Sequence, residues 1–377
     1  MKILFDENMP YAKEFFSDLV ANDTELVPFA GRDLSPEQVI DADVLLVRSI
    51  TKVDEALLNQ NQNLSFVGTA TIGTDHIDQN YLVERDVAFH SAPGCNAVSV
   101  AEYVISALVI LAERYLFDLT ELKVGIVGGG NTGTRLSEKL SALGVQYKIC
   151  DPLLALDSND TREFVSLEEA LECDVISLHV PKVVDGEYPT YHLLDETRLS
   201  NLNDNQILIS ACRGEVIDNH ALLALKKSGH GLKLVLDVWE GEPDVLTPLI
   251  AYTEIATAHI AGYSLEGKAR GTEMLYQALC KHINIEPECQ LKTLLPIANI
   301  SSVELNQEFN EIVLNQLVKM VYDVRRDDAI FRQQLSSQGF DALRKNYPTR
   351  REFSAVKVIL SFNACSGVPH RLGFSRV

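Results

Sequence analysis

Cysteine is sparse and unpatterned: seven residues are scattered over 377 with no CxxC pair. That argues against a disulfide framework or a cysteine zinc site, and the thiols read as reduced. No apolar run is long enough for a bilayer span. The longest, Val104–Ala112, falls far short of the ~20 residues a spanning helix needs. The opening MKILFDENMP lacks the basic, apolar and cleavage regions of a secretory signal, so the expected location is cytoplasmic. Positive charge is also short. The 33 Lys/Arg stand against 53 Asp/Glu, a net charge of −20, which argues against nucleic acid or an anionic membrane as partner. The deficit is uneven: residues 286–377 hold 12 basic and 10 acidic residues, which leaves −22 in the first 285. The tail therefore reads as a separate module. No repeat or low-complexity segment is present.

What is there is a chain that is 46% apolar and too long for one ordinary core, so two or three domains are expected. Short apolar runs alternate with helical patterns. Expected strands are Lys2–Phe5, Glu25–Pro28, Val44–Val47, Phe66–Thr69 and Val87–His90, with helical pieces such as Tyr11–Val20 and Asp54–Asn59 between them. A long helix follows from Ala97 to about Phe117, with Asn96 placed to cap it. A second alternating block gives strands at Val124–Val127, Tyr147–Cys150, Val175–Leu178, Ile207–Ser210 and Leu234–Leu236, and Asp218 is placed to cap helix Asn219–Lys227. Residues 262–283 form another long helical pattern. Strands alternating with crossover helices imply parallel sheets. The expected fold is α/β: two Rossmann-like, doubly wound parallel-sheet lobes around a cleft, plus a C-terminal α+β domain. The expected boundaries are 1–96 with 260–285, then 97–259, then 286–377.

The most specific local signal is KVGIVGGGNTG over 123–133. An apolar strand feeds Gly128-x-Gly130-x-x-Gly133, a helix opens through Asn131 and Thr132, and Asp151 ends the next strand. Gly128 suits the tight turn, Gly130 lets backbone approach a pyrophosphate, and Gly133 lets helix and strand pack closely. The helix N-terminus offers free N–H groups and positive dipole to phosphate. Asp151 suits a ribose 2′-hydroxyl and would repel a 2′-phosphate. The cofactor reads as NAD rather than NADP. No metal site is expected.

Three segments place polar residues directly after strands: ISACRGEVID (209–218), LDVWEGEP (236–243) and AHIAGYS (258–264). They offer Arg213, Glu242 and His259. Oxidation of a hydroxy acid by hydride transfer needs such a set: a cation for the carboxylate, a base titrating near neutrality for the hydroxyl proton, and a carboxylate that favours the charged imidazole and fixes its ring. Singly, each has a bland reading: a surface ion pair for Arg213, a solvated Glu242, a satisfied interior His259, a strand-end cap for Asp237. Together, behind a dinucleotide fingerprint, they point to catalysis.

These segments, with VRSITKV (47–53), GTATIGTDHID (68–78) and APGCNAVSVAEY (92–103), run in order and resemble the D-isomer-specific 2-hydroxyacid dehydrogenases. The resemblance implies that Arg213, Glu242 and His259 are the catalytic set. It implies cofactor contacts from Gly128, Gly130, Asn131, Thr132, Gly133, Asp151, Val180, Ala211, Cys212, Arg213, Asp237 and Gly262, with Asp237 near the nicotinamide carboxamide. Val180 departs from the Thr common in relatives. Arg48, Ser49, Thr71 and Tyr263 become the expected substrate contacts. The opening KILFDENMPYA and the tail segments LVYDVRRDDAIFR and LRKNYPTRREF resemble one branch of the family. That branch acts on a phosphorylated 2-hydroxy acid and carries a C-terminal dimerisation domain, so a homodimer through 286–377 is expected. The last stretch, FNACSGVPHRLGFSRV, matches poorly. The tail carries apolar residues at helical spacing (Ile312, Leu314, Leu317, Val318, Val321) and the clusters Arg325-Arg326 and Arg350-Arg351. Those arginines are expected either in ion pairs with Asp327 and Asp328 or, for one of them, on a substrate phosphate. Two other functions stay open: another dehydrogenase of this kind, such as one acting on 3-phosphoglycerate, and a non-catalytic NAD(H)-sensing adaptor.

Overall fold

In a computed structural model, residues 1–17, 19, 24–361 and 367–376 are described. They form two compact units, one of residues 1–96 with 265–297 and the other of 97–264 with 298–377.

The first unit is a five-stranded parallel sheet: β1 (Lys2–Asp6), β2 (Glu25–Phe29), β3 (Val44–Val47), β4 (Phe66–Thr69) and β5 (Ala88–His90), in the order β2-β1-β3-β4-β5. β3 and β4 are buried along their whole length, as strands covered on both faces must be. Helix Leu265–His282 lays Ala269, Leu275, Tyr276 and Leu279 against Ile3, Val44, Leu46 and Phe66. Gly68 and Gly271 permit this: a Cβ on Gly68 would lie 3.0 Å from Leu275, and one on Gly271 would lie 2.8 Å from the Ala70 carbonyl. The helix expected over Tyr11–Val20 spans Ala12–Ser17, and Val20 lies outside the described residues.

The second unit carries a six-stranded parallel sheet: β6 (Lys123–Val127), β7 (Gln146–Cys150), β8 (Val175–Leu178), β9 (Ile207–Ser210), β10 (Lys233–Leu236) and β11 (Ile255–Ala256), in the order β11-β10-β9-β8-β6-β7. The order reverses between β6 and β8. In open α/β sheets ligands bind outside the strand ends at such a switch point. β11, two residues long, gives no periodic signal in the sequence.

Residues 298–377 do not stand apart from this unit. Helix Ala97–Tyr115 is buried over most of its surface and needs cover on more than one face. The nucleotide-binding layer supplies one side through Leu136 and Leu140. The tail supplies another through Leu314, Leu317, Val318, Phe353 and Phe374, all in one cluster. The tail is α+β, with helices Glu311–Val321 and Val324–Gln338 and the parallel pair β12 (Ser302–Leu305) and β13 (Lys357–Leu360). It also closes the sheet edge, because Asp328 accepts the Ala256 N–H of β11 at 2.7 Å. Ile312 points away from this packing and is 67% exposed. In the poorly matching C-terminal stretch, Phe362–Ser366 lie outside the described residues, while Leu372 and Phe374 are buried.

Two expected caps resolve differently. Asp218 caps helix Asn219–Lys227 through the Ala221 N–H, 2.9 Å away. Asn96 does not cap helix Ala97–Tyr115; its buried Oδ1 has no partner among the described residues.

Candidate active site

The 128–133 turn sits at the sheet's switch point. Gly128 has φ +101°, and a Cβ there would lie 2.5 Å from the His179 carbonyl and 3.0 Å from the Val180 nitrogen. This brings Val180, after β8, beside the turn. A Cβ on Gly133 would overlap the Gly128 carbonyl, so only glycine lets helix Asn131–Leu143 pack this closely. Above Gly130 there is nothing within 4 Å of a would-be Cβ, and no side chain caps the helix. The space beside Gly130 is therefore open at the uncapped start of helix Asn131–Leu143, where the positive end of its dipole lies.

Asp151 ends β7 and N-caps the next turn through Leu154 N–H at 3.1 Å, while its other oxygen accepts Gly129 N–H at 2.9 Å. Each carboxylate oxygen has a further lone pair for a ribose hydroxyl. Across the turn, Arg162 donates to the Gly129 carbonyl at 2.8 Å and to Thr134 Oγ1 at 2.9 Å, and pairs with Asp160. Sequence reading missed Arg162, which lies in no motif. The open space at Gly130, the uncapped helix and the Asp151 carboxylate beside the turn fit a dinucleotide.

The chemical groups gather at the ends of β9, β10 and β11. A Cβ on Gly214 would overlap the Trp239 carbonyl, so glycine after Arg213 lets the chain leaving β9 touch the chain leaving β10. Trp239 is buried and anchored by its indole N–H on the Thr257 carbonyl at 2.8 Å. Its backbone N–H donates to Glu242 Oε1 at 2.9 Å. The other Glu242 oxygen lies 2.7 Å from His259 Nδ1. Both carboxylate oxygens are thereby oriented. An ionised Glu242 accepts a hydrogen bond from Nδ1–H, which leaves Nε2 as the basic nitrogen. Arg213, half-buried, donates to the Cys212 carbonyl at 2.8 Å, and Cys212 itself is buried below it. Ala211 packs partly buried against the core.

His259 has φ +55°, a left-handed conformation that costs a non-glycine residue about 1–2 kcal/mol. Asp237 holds it. The Asp237 carbonyl accepts His259 N–H at 2.7 Å, and its carboxylate accepts Ile260 N–H at 2.7 Å, Ala261 N–H at 2.9 Å and Thr257 Oγ1–H at 2.6 Å. Burial pushes the Asp237 carboxyl up from the ordinary range, and nearby His259 and these donors oppose that shift. Through these bonds Asp237 organises the His259 loop, and its Oδ2, which accepts the Ala261 N–H, has a further lone pair.

The other expected contacts lie as follows. In the first unit, Arg48 is half-buried and Ser49 exposed just after β3, and Thr71 Oγ1 sits 2.7 Å from Thr69 Oγ1 and donates to the Gly73 carbonyl at 3.0 Å. In the second, Gly262 is half-buried beyond the His259 loop, and the ring of Tyr263 packs into the tail, 5.9 Å from Tyr347 and under the Arg344 guanidinium at 5.5 Å. Arg325 and Arg326 pair with Asp323 and Asp327. Arg350 is 3% exposed, stacked 3.9 Å from the Tyr322 ring, and donates to the carbonyls of Ser99 and Ala261. Burial and these bonds remove it as a phosphate ligand.

One further cluster escaped the sequence, since its members lie far apart in the chain. His192, Asp218 and Glu240 bring donor atoms within 4.8 Å of one another. Glu240 meets His192 Nε2 at 2.6 Å, whereas Asp218 lies 3.8 Å from the opposite ring nitrogen. Carboxylates on opposite edges of one ring suit an imidazole bridge better than a chelated cation.

Residues 110–261, which contain the glycine turn, Arg213, Glu242 and His259, match the NAD binding domain of D-isomer specific 2-hydroxyacid dehydrogenases, and residues 294–370 match a domain of unknown function, DUF3410. Over 100% of both chains, the sequence is 68% identical to an erythronate-4-phosphate dehydrogenase of Colwellia psychrerythraea. It is 54% identical to the one of Tolumonas auensis, covering 100% of this chain and 99% of that one. Among solved structures, the D-lactate dehydrogenase of Aquifex aeolicus, complexed with NAD and lactic acid, is 25% identical at TM-score 0.58, covering 75% of this chain and 95% of that one.

Proposed function

Because the chain belongs to the erythronate-4-phosphate dehydrogenases, within the D-isomer specific 2-hydroxyacid dehydrogenases, we propose that it oxidises C2 of 4-phospho-D-erythronate to 2-oxo-3-hydroxy-4-phosphobutanoate, a step of pyridoxal 5′-phosphate (vitamin B6) biosynthesis. The observation that carries this reading is the His259–Glu242 pair at 2.7 Å, within the NAD-binding domain.

Bound NAD supplies the acceptor for the hydride that leaves C2. The rest is done by this chain. The N–H groups of Asn131, Thr132 and Gly133 take the pyrophosphate, and Asp151 takes the ribose hydroxyls. Val180, Ala211 and Cys212 line the turn side of the same lobe. Arg213 grips the substrate carboxylate and the C2 oxygen with paired donors. His259 Nε2 removes the 2-hydroxyl proton as hydride departs. Glu242, on the far side of the ring, fixes its orientation and stabilises the imidazolium that forms. Fixing the reacting atoms in place supplies much of the acceleration. Arg48, Ser49 and Thr71 contact the substrate, with Arg48 at the phosphate. The protein works as a cytoplasmic homodimer, assembled through its C-terminal domain.

The test is NADH formation by purified protein with a panel of 2-hydroxy acids, with and without a 4-phosphate. The proposal expects turnover that depends on the 4-phosphate. Equal efficiency on 3-phosphoglycerate, or no turnover on any 2-hydroxy acid, overturns it.

A further inference from the structure

The tail that matches a domain of unknown function reaches the loop that carries His259. Two peptide units after His259, the Ala261 residue is held from both sides. Its N–H donates to Asp237 at 2.9 Å, and its carbonyl accepts Arg350 Nη2 at 2.6 Å. The same Nη2 donates to the Ser99 carbonyl in the first turn of helix Ala97–Tyr115, at 2.9 Å. One tail side chain thus ties the His259 loop to the start of the longest buried helix.

The neighbours of Arg350 reinforce the tie. A parallel bridge joins Arg350 to Ser264. Two residues on, the buried Glu352 accepts hydrogen bonds from Ser99 Oγ and Ser264 Oγ, both at 3.0 Å, and those hydroxyls lie 2.5 Å apart. On its other face the guanidinium lies over the Tyr322 ring, whose hydroxyl donates to the buried Asp327 at 2.9 Å. Tyr347 donates to the same Asp327 oxygen at 2.6 Å while its ring meets Tyr263. A buried cation is costly unless its surroundings answer it. Here burial opposes the charge while the Tyr322 and Tyr347 hydroxyls and the Asp327 and Glu102 carboxylates favour it; two carbonyls occupy one arm of its fork, and Nη1 has no partner among the described residues. Lysine has no planar guanidinium to stack on a ring while it donates to these carbonyls.

His259 itself sits in a left-handed backbone conformation. Such geometry persists only when the surroundings over-determine it. Asp237 over-determines the N–H side of the loop, and Arg350 is the group on the carbonyl side. We infer that Arg350 is a positioning residue for His259, and that the tail serves the reaction by clamping the 259–264 loop from outside the nucleotide-binding domain. The inference rests on His259 acting as the base.

The test compares wild type, Arg350→Ala, Arg350→Lys and His259→Ala for kcat, for NADH affinity, and for recovery with methylguanidinium. A displacement of about 1 Å in a reacting group can cost about a hundredfold. Arg350→Ala is expected to lose about ten- to a hundredfold in kcat, with NADH affinity held within about threefold and part of the loss restored by methylguanidinium. Arg350→Lys should fall between it and wild type. A folded Arg350→Ala with kcat within twofold of wild type overturns the clamp, as does a parallel loss of NADH affinity that methylguanidinium leaves unrestored. If Arg350→Ala does not fold, Arg350→Lys carries the comparison, and loss of folding in both assigns Arg350 to the fold and overturns the inference. His259→Ala separates the two levels. Near-normal turnover there removes the base assignment itself, whereas an inactive His259→Ala beside a fully active Arg350→Ala removes only the clamp.

Discussion

Replacing Glu242 by Gln alters no volume and removes one charge, yet its effect should be large because of where the two carboxylate oxygens point. One accepts the Trp239 N–H at 2.9 Å and the other meets His259 Nδ1 at 2.7 Å. An amide in this place has one acceptor and one donor end. With its oxygen on Trp239 N–H, its NH₂ faces Nδ1, and the imidazole must then accept there and carry its proton on Nε2. That tautomer presents a donor where the reaction needs a base. Turning the amide over instead sets its NH₂ against the Trp239 N–H and leaves a part-buried donor unsatisfied, at about 1–3 kcal/mol. Loss of the charge-assisted hydrogen bond to the ring adds about 1–2 kcal/mol. A total of about 2–5 kcal/mol corresponds to a fall of about 30- to 5,000-fold in kcat. Neither the glycine turn nor Asp151 is touched, so NADH affinity should stay within about threefold. Steady-state NADH formation and fluorescence titration with NADH measure the two quantities. A kcat within fivefold of wild type, in a protein that binds NADH normally, would refute the tautomer argument.

Glu102 should make the protein less stable as pH rises. It is buried against Lys139 Nζ at 3.2 Å and accepts Phe353 N–H, and desolvation pushes its carboxyl up to about 7. Between about pH 4.5 and 7 the folded state therefore holds a proton that the unfolded chain has released, so folding stability declines through that window, by up to about 3 kcal/mol. Glu102→Gln should flatten the decline in urea melts at pH 5 and pH 8, and an unchanged slope would show that Glu102 does not cause it. Asp151→Ser should raise the NADP-to-NAD efficiency ratio by on the order of tenfold or more, since a carboxylate is removed beside Gly129 while the Arg162 cation stays. An unchanged ratio would place cofactor choice elsewhere.

The parts of this site that were readable in the sequence are those built by neighbours in the chain. The 123–133 segment is a strand, a turn and a helix whose glycines each answer a local demand: a positive φ at Gly128, a close approach at Gly133. Arg213, Glu242 and His259 are each legible because polar residues directly after an apolar strand stand out. What was not readable depends on distant partners. Arg350 looked like half of an exposed basic pair, and only its stacking on Tyr322 and its bonds to Ser99 and Ala261 make it interior. His192 meets Glu240 48 residues further on, and no spacing announces that. The turn at 257–261 folds back onto the Asp237 carboxylate, and no spacing in the chain announces the Thr257, Ile260 and Ala261 donors that meet it. Composition marked the tail as different in kind, but its packing is set by helix Ala97–Tyr115, whose many apolar faces need a second cover.

The central claim is that His259 removes the hydroxyl proton from a phosphorylated 2-hydroxy acid while the rest of the chain holds NAD. The most direct measurement is the turnover of 4-phospho-D-erythronate with NAD by His259→Ala, set beside its NADH affinity. The expected loss is on the order of 10²–10⁴ in kcat with NADH binding retained; turnover close to wild type would contradict this role for His259.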